Sequence, residues 1–110
     1  MRKTEIKINV TLDEHNVPDT IFWDSKDDKS EQTHESKAMM LALFEKDSKE
    51  TVKIDLWTKD MQMVEMDRFF FQTLKSMADT YFKATKNNLL ASRMQEFARY
   101  FAEETKIIDK

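Results

Sequence analysis

The sequence predicts an α+β fold, in which a four-stranded antiparallel meander is followed by two C-terminal helices packed on one face of the sheet. Two patterns support this class. Apolar and polar side chains alternate in short segments before residue 58, and they repeat with a helical period after residue 60. The connections between successive strands are short, which favours antiparallel neighbours. A chain of 110 residues is long enough for one domain, spanning residues 1–110.

Four segments in the first half of the chain have the pattern of strands. The first strand is predicted at about residues 4–12, where Ile6, Ile8 and Val10 alternate with polar side chains. The others are predicted at about residues 20–23, 37–45 and 51–57. Residues 24–37 contain no large apolar side chain, so we expect a solvated loop there.

Two helices are predicted in the second half, at about residues 61–85 and 88–105. Asp60 or Thr58 is the expected N-cap of the first helix. The chain has no glycine, so we expect Asn87 to take the left-handed conformation between the helices. At 100° per residue, apolar side chains form one core-facing arc on each helix. The arcs consist of Met63, Met66, Phe70, Leu74, Met77 and Tyr81, and of Leu90, Met94, Phe97, Ala98 and Phe101.

The composition argues against several classes of function. A net charge of −3 and a pI near 5.4 disfavour nucleic-acid binding, which usually needs a basic patch. Without cysteine or glycine, the chain has no cysteine metal site and no glycine-rich phosphate loop. The longest apolar run, Ala38–Phe44, is too short for membrane insertion, and the N-terminus lacks a signal-peptide pattern. We therefore expect a cytoplasmic protein with no cofactor and no small-molecule substrate.

Side chains that could bind a metal occur in two groups of the predicted long loop: His34 with Glu31 and Glu35, and the acidic residues Asp24, Asp27 and Asp28. His15 lies apart from both, in the first hairpin turn. The histidine group matches a metal site only weakly. The acidic group lacks the alternate spacing and the glycine of a calcium loop. We therefore expect these side chains to be solvated, and we expect no enzymatic activity.

Trp57 points most clearly to a function. It falls on the polar side of the fourth strand with Lys53 and Asp55, opposite in parity to Ile54 and Leu56. If Ile54 and Leu56 face the helices, Trp57 faces away from them and belongs to an apolar surface for protein contact. The alternative is that Trp57 folds over the end of the strand and touches the first helix.

Further apolar residues extend this predicted surface. Phe22 faces outward if Ile21 and Trp23 face the core. The third strand leaves two alternatives for its outward face, either Ala38, Met40, Ala42 and Phe44 or Met39, Leu41 and Leu43. Phe69 lies apart from the arc of the first helix, either packed under a loop or exposed for a partner. The candidate interface consists of Phe22, Met39, Leu41, Leu43, Trp57 and Phe69. So much apolar area predicts a homo-oligomer, most simply a dimer.

Several strings resemble the gliding-motility protein GldC family of the Bacteroidetes. They include "TEIKINVTLDEHNVPDTIFW", "SKAMMLALFE", "IDLWTKDM", "QTL" and "SMADTY". The similarity extends over almost the whole chain and is weakest at residues 24–35. The resemblance implies a small, soluble, cytoplasmic accessory of the gliding machinery, which is linked to type IX secretion. It implies a protein partner in that apparatus and no catalytic residues.

The order of four strands and two helices also resembles that of the SecB export chaperones, which are oligomeric and bind unfolded clients. Element order alone does not transfer function. It keeps open an alternative to the interaction protein, namely a client-binding chaperone or pilot for secreted motility components.

Overall fold

The computed structural model describes residues 1–27 and 32–108. The chain divides into two compact units, Met1–Met61 and Gln62–Lys110. In the described residues, the first unit contains five strands and the second contains two helices, which confirms the predicted α+β class. The single domain and the packing of the helices on one face of the sheet stay predictions.

The first sheet contains β1 (Ile6–Leu12), β2 (Pro18–Ser25) and β3 (His34–Ser36), antiparallel and in that order. Val10 lies opposite Ile21 in this sheet, and Ile8 lies opposite Trp23. Opposed residues share a face, so the alternating apolar side chains of β1 and β2 lie together, as their pattern predicts. Ile21 is buried, with 1% of its surface exposed.

The chain changes its pairing partner at Lys37. β3 pairs with β2, whereas β4 (Ala38–Phe44) pairs with β5 (Thr51–Trp57) in a separate two-stranded antiparallel sheet. The strand predicted at about residues 37–45 corresponds to β4, but periodicity within a segment does not reveal that the chain changes its pairing partner just before it. The antiparallel pairs still follow the predicted meander order.

The solvated loop predicted over residues 24–37 is shorter than expected. β2 continues to Ser25, and β3 occupies residues 34–36. These segments lack large apolar side chains, so the alternating pattern that predicts a strand is absent from them. They are strands because they pair with the adjacent strands of the first sheet.

Thr58 closes the junction between the two sheets. Its N–H donates to the carbonyl of Lys37 over 2.8 Å, which extends the β4–β5 ladder by one residue pair. Its hydroxyl donates to Asp60, and its carbonyl accepts from the N–H of Met61 over 3.0 Å. Only 3% of Thr58 is exposed. Because all its polar groups have partners, this threonine is buried without an unsatisfied donor or acceptor.

Lys59 joins the end of β5 to the first hairpin. Its N–H donates to the carbonyl of Pro18 over 3.1 Å. Its ammonium lies 3.4 Å from Oδ2 of Asp13 and 3.5 Å from Oδ1 of Asp19. The ion pairs are solvent-exposed, so their contribution is small, but together with the backbone bond they fix where the chain leaves β5.

The first helix, α1, spans Met63–Thr85 and begins with a capping box. The side chain of Gln62 accepts from the N–H of Glu65, and Oε1 of Glu65 accepts from the N–H of Gln62 over 3.0 Å. The prediction of Asp60 or Thr58 as the N-cap is wrong, because those two side chains hydrogen-bond to each other instead.

The second helix, α2, spans Asn88–Glu104, and Oδ1 of Asn87 caps it by accepting from the N–H of Leu90 over 3.1 Å. The left-handed residue between the helices is Lys86, with a φ of 60°. The prediction of Asn87 for that role is wrong, because its side chain caps α2 from a φ of −82°. Positive φ angles in the described residues occur at Asn16, Lys49, Lys86 and Lys106. Lysine as well as asparagine therefore replaces glycine in this chain.

The side chains buried in the helices are alanines: Ala78 in α1, and Ala91, Ala98 and Ala102 in α2. Their spacing in α2 places the three on one stripe of that helix. The rings of Phe70 and Phe101 stack across the helix pair, with centroids 6.5 Å apart. Met63 and Met77 of the predicted arc are 82% and 50% exposed. Part of the predicted core arc is therefore exposed apolar surface. The helical period identified the large apolar side chains as core and did not identify the alanines that are buried.

The charge of Asp13 gives the first unit a testable response to acid. Its carboxylate accepts from the N–H groups of Val17 over 3.0 Å and of His15 over 2.8 Å. These bonds, and then the Lys59 ammonium, lower the pKa of Asp13 below its ordinary value of 3.8. The folded protein thus binds this proton less tightly than the unfolded chain does. The resulting stability is fully present above the ordinary pKa and is lost as the pH falls through the lowered one.

We expect Asp13→Asn to lower the free energy of unfolding at pH 7, because the amide keeps a carbonyl for the turn but carries no charge. The difference from the wild type is expected to shrink as the pH falls below about 4. Urea unfolding at a series of pH values measures both quantities. A difference that stays constant down to acid pH would contradict this role of Asp13.

Candidate functional site

The two-stranded sheet has two apolar faces, which the β4–β5 register defines. Ala38 lies opposite Trp57, and Met39 lies opposite Leu56. Because opposed residues share a face, the sheet has what we name the Trp57 face and the Leu56 face. The Trp57 face consists of Ala38, Met40, Ala42, Phe44, Thr51, Lys53, Asp55 and Trp57. The Leu56 face consists of Met39, Leu41, Leu43, Val52, Ile54 and Leu56.

This register divides the strand members of the candidate interface between the two faces. Three of its members, Met39, Leu41 and Leu43, lie on the Leu56 face and not beside Trp57. The other predicted alternative for this strand, Ala38, Met40, Ala42 and Phe44, lies on the Trp57 face, so Phe44 shares a face with Trp57. The sequence could not choose between the alternatives, because both parities of this strand are apolar.

Large apolar side chains are exposed on both faces. Trp57 is 56% exposed and Phe44 is 70% exposed on the Trp57 face. On the Leu56 face, Leu43, Val52 and Ile54 are each about half exposed, while Leu56 itself is less so. A sheet that leaves both faces apolar is suited to contact with another protein.

A charged pair lies at the centre of the Trp57 face. Nζ of Lys53 is 3.2 Å from Oδ2 of Asp55, two residues along the same strand. The residues opposite them on β4 are Ala42 and Met40, so neither charge meets another charge across the ladder. Both side chains are about half exposed, which leaves them available to a partner.

Phe22 lies in the first sheet. It is opposite Asn9 and Glu35 and is half-buried, on the other face from Ile21 and Trp23. This is the face that the alternation predicts. The first sheet and the β4–β5 sheet are separate, so Phe22 and Trp57 belong to different sheets.

Phe69 belongs to the helical unit, where it is half-buried. Its ring meets that of Phe70 edge to face, with centroids 6.3 Å apart. It also lines an open groove of about 600 Å³ on the helix pair. The groove is lined by Phe69, Gln72, Thr73, Ser76, Met77, Thr80, Tyr81, Ala84 and Met94. Apolar rings and methionines with a rim of hydroxyl and amide groups give this groove an adaptable lining.

The histidines behave differently from each other. His15 is solvent-exposed, with Nε2 3.6 Å from Glu14 Oε1. His34 is half-buried and stacks on Trp23, with ring centroids 4.6 Å apart, so its prediction as a solvated loop residue is wrong. The stacking follows from the β2–β3 pairing, which places His34 opposite Trp23. Pattern reasoning missed it because β3 itself was missed.

The candidate metal ligands do not form a cluster. His34 and Glu35 are adjacent in β3, so they point to opposite faces. Asp27 forms an ion pair with Arg2 at 2.8 Å, and this bond, followed by one from Thr4, lowers the pKa of Asp27. Within residues 1–27 and 32–108, no group of three histidine or acidic side chains is placed to hold a metal ion. Glu31 and Asp28 lie outside the described residues.

Neither helix, over the residues that the structure describes, has a stretch long and apolar enough to cross a membrane. The fold and its exposed surfaces define a small α+β protein with apolar strand and helix faces. The chain belongs to the GldC-like family of gliding motility-associated proteins, whose family model matches residues 18–107. This match confirms the family resemblance. Comparisons with curated proteins and with solved structures gave no significant match.

We expect Trp57→Ala to weaken self-association by about 2 kcal/mol, roughly thirtyfold in the dissociation constant, because exposed aromatic side chains are common anchors of interfaces. The stability of the subunit is expected to change by less than about 0.5 kcal/mol, as for most surface substitutions. Sedimentation velocity and urea unfolding at matched concentrations measure the two effects separately.

Ile21→Val is the matched control, because Ile21 is buried in the first sheet. This substitution is expected to cost about 0.5–1.5 kcal/mol of stability and to leave association unchanged. If Trp57→Ala destabilises the subunit as much as Ile21→Val does and leaves association intact, Trp57 is a core residue and not an interface residue.

Proposed function

We propose that this protein is a non-enzymatic accessory of the gliding machinery that acts in the cytoplasm by binding other proteins. It associates with itself, and it docks on a protein of the gliding and type IX secretion apparatus. Membership of the GldC-like family supports the link to gliding motility. The proposal of protein binding rests on the surfaces of the first unit.

The observation that carries this proposal is the exposure of apolar side chains on both faces of the β4–β5 sheet. Phe44 and Trp57 expose more than half of their surface on one face, as Leu43 does on the other. A two-stranded sheet is marginally stable alone. Burial of such side chains contributes about 25 cal/mol for each Å² removed from water, so a partner would stabilise the sheet as it binds.

The Trp57 face is the better docking surface for a folded partner. It combines two exposed aromatic rings with Lys53 and Asp55, which carry opposite charges. Aromatic anchors supply most of the affinity in many interfaces, and charges fix the orientation of the partner. A single partner of fixed stoichiometry follows from such a surface.

A second candidate function is supported by the groove of the helix pair. Met77 and Met94 line it together with Phe69 and Tyr81. Methionine side chains adapt to differently shaped apolar groups, and they are over-represented in promiscuous binding sites. A client-binding chaperone or pilot for secreted motility components would use this groove to hold unfolded chains.

Docking on one folded partner and chaperone activity predict different effects of Phe44→Ala on the proteins that co-purify from a gliding cell. Phe44 is exposed on the Trp57 face, but it lies on β4 and not on β5. We expect the wild-type protein to co-purify with one folded component at fixed stoichiometry, and Phe44→Ala to lose that component and support gliding poorly. Tyr100→Ala is the control, because Tyr100 is a similarly exposed aromatic residue on α2.

Equal recovery of the component by all three proteins would contradict docking through the Trp57 face. The chaperone function predicts a different result. The wild type would then bind several unrelated unfolded polypeptides with similar affinity, and Met77→Ser would weaken all of them while Phe44→Ala would not.

A further inference from the structure

We propose that β5 pairs with β5 of a second copy of this chain, antiparallel and about a two-fold axis at Ile54. The two β4–β5 sheets then form one four-stranded sheet with both β5 strands at its centre. This inference rests on the proposed self-association and names the surface that produces it. It depends on three observations: an open strand edge, the direction of its backbone groups, and the order of its side chains.

One edge of β5 has no strand partner among the described residues. β5 pairs with β4 on one side, and no strand among residues 1–27 and 32–108 pairs with it on the other. An edge strand presents unpaired N–H and C=O groups, which can pair with another chain. β5 is seven residues long, which is enough for a regular ladder.

The backbone groups that point to this edge can be identified. Residues along an antiparallel strand direct their N–H and C=O groups alternately to either side. At the two ends of the β4–β5 ladder, Thr58 donates to Lys37 and Glu45 donates to Glu50. Even-numbered residues of β5 therefore bond to β4. The groups at the open edge belong to Thr51, Lys53, Asp55 and Trp57.

The side chains of β5 are complementary to themselves. A two-fold axis perpendicular to a sheet keeps each face on its own side, and it lies midway between one residue and the same residue of the partner strand. With the axis at Ile54, Lys53 lies opposite the partner's Asp55, and Asp55 lies opposite the partner's Lys53. On the other face, Val52 lies opposite the partner's Leu56. Each charge thus meets an opposite charge and each of these apolar side chains meets an apolar one across the axis, and both kinds of pair favour cross-strand pairing.

Neighbouring positions of the axis lack this match. An axis at Lys53 places two lysines opposite each other, and an axis at Asp55 places two carboxylates opposite each other. Like charges directly opposed destabilise a strand pair. The charges therefore select the register at Ile54. In that register the open backbone groups of Thr51, Lys53, Asp55 and Trp57 meet those of the partner, because paired residues have the same parity.

The uncharged residues of β4 opposite Lys53 and Asp55 are consistent with this arrangement. Ala42 and Met40 oppose Lys53 and Asp55 on β4, so no charge of β4 competes for them. Within one chain, Lys53 and Asp55 already lie 3.2 Å apart. Pairing of two strands surrounds each charge with two opposite charges, in a cluster of four on the Trp57 face.

Charge exchange tests the register directly. Lys53→Asp and Asp55→Lys each place like charges opposite each other across the axis, and each is expected to raise the dissociation constant of the dimer at least about tenfold. An equimolar mixture of the two variants restores opposite charges at every pair between the chains, so it is expected to form a heterodimer near the wild-type affinity. The double variant K53D/D55K is expected to dimerise alone. Sedimentation velocity at micromolar concentration measures all four samples.

The mixture separates pairing between chains from the contact within one chain, because neither variant regains its own Lys53–Asp55 ion pair. Association of either single variant at wild-type strength would overturn the inference. So would a mixture that stays monomeric. Dimers in every sample would leave self-association standing and exclude the β5 edge. A monomeric wild type would overturn both the proposed self-association and the pairing of β5. Docking on the gliding apparatus is tested separately by Phe44→Ala.

Discussion

The hydrogen bond from the N–H of Thr58 to the carbonyl of Lys37 holds the strand unit in its observed arrangement. At Lys37 the chain leaves the first sheet and enters the second, so β3 and β4 have different partners on either side of one residue. The bond to Thr58 completes the β4–β5 ladder at that point. Lys59 then joins the same corner to Pro18, Asp13 and Asp19 in the first hairpin.

The same constraint creates the surfaces that suggest function. Because β4 and β5 form a sheet of two strands, no described strand pairs with the outer edge of β5, and large apolar side chains are exposed on both faces. The strand sequence "TVKIDLW" then decides what the edge can bind. Apolar side chains on one face and the Lys53–Asp55 pair on the other suit a second copy of the strand. Phe44 lies at the other end of the Trp57 face from Trp57, on β4, where it is available for a different protein.

Local patterns predicted much of this structure, and long-range pairing accounts for what they missed. The alternation in β1 and β5 and the helical period after residue 60 identified the α+β class, and the placement of Trp57 beside Lys53 and Asp55 agrees with the register. The break at Lys37 and the stacking of His34 on Trp23 depend on which strand is the neighbour, which no local pattern contains. The buried alanines were overlooked because helix contacts can be built from small side chains as well as large ones. The sequence could not show which residues of β4 share a face with Trp57, because alternate residues of that strand are apolar on both faces.

Amide hydrogen exchange, followed residue by residue by NMR at two protein concentrations, tests the central claim most directly. The account predicts that the N–H groups of Thr51, Lys53, Asp55 and Trp57 are protected at high concentration and exchange rapidly on dilution. The N–H groups of Val52, Ile54 and Leu56 bond to β4, so they are expected to stay protected at both concentrations. Odd-numbered amides of β5 that exchange rapidly at every concentration would contradict pairing at this edge.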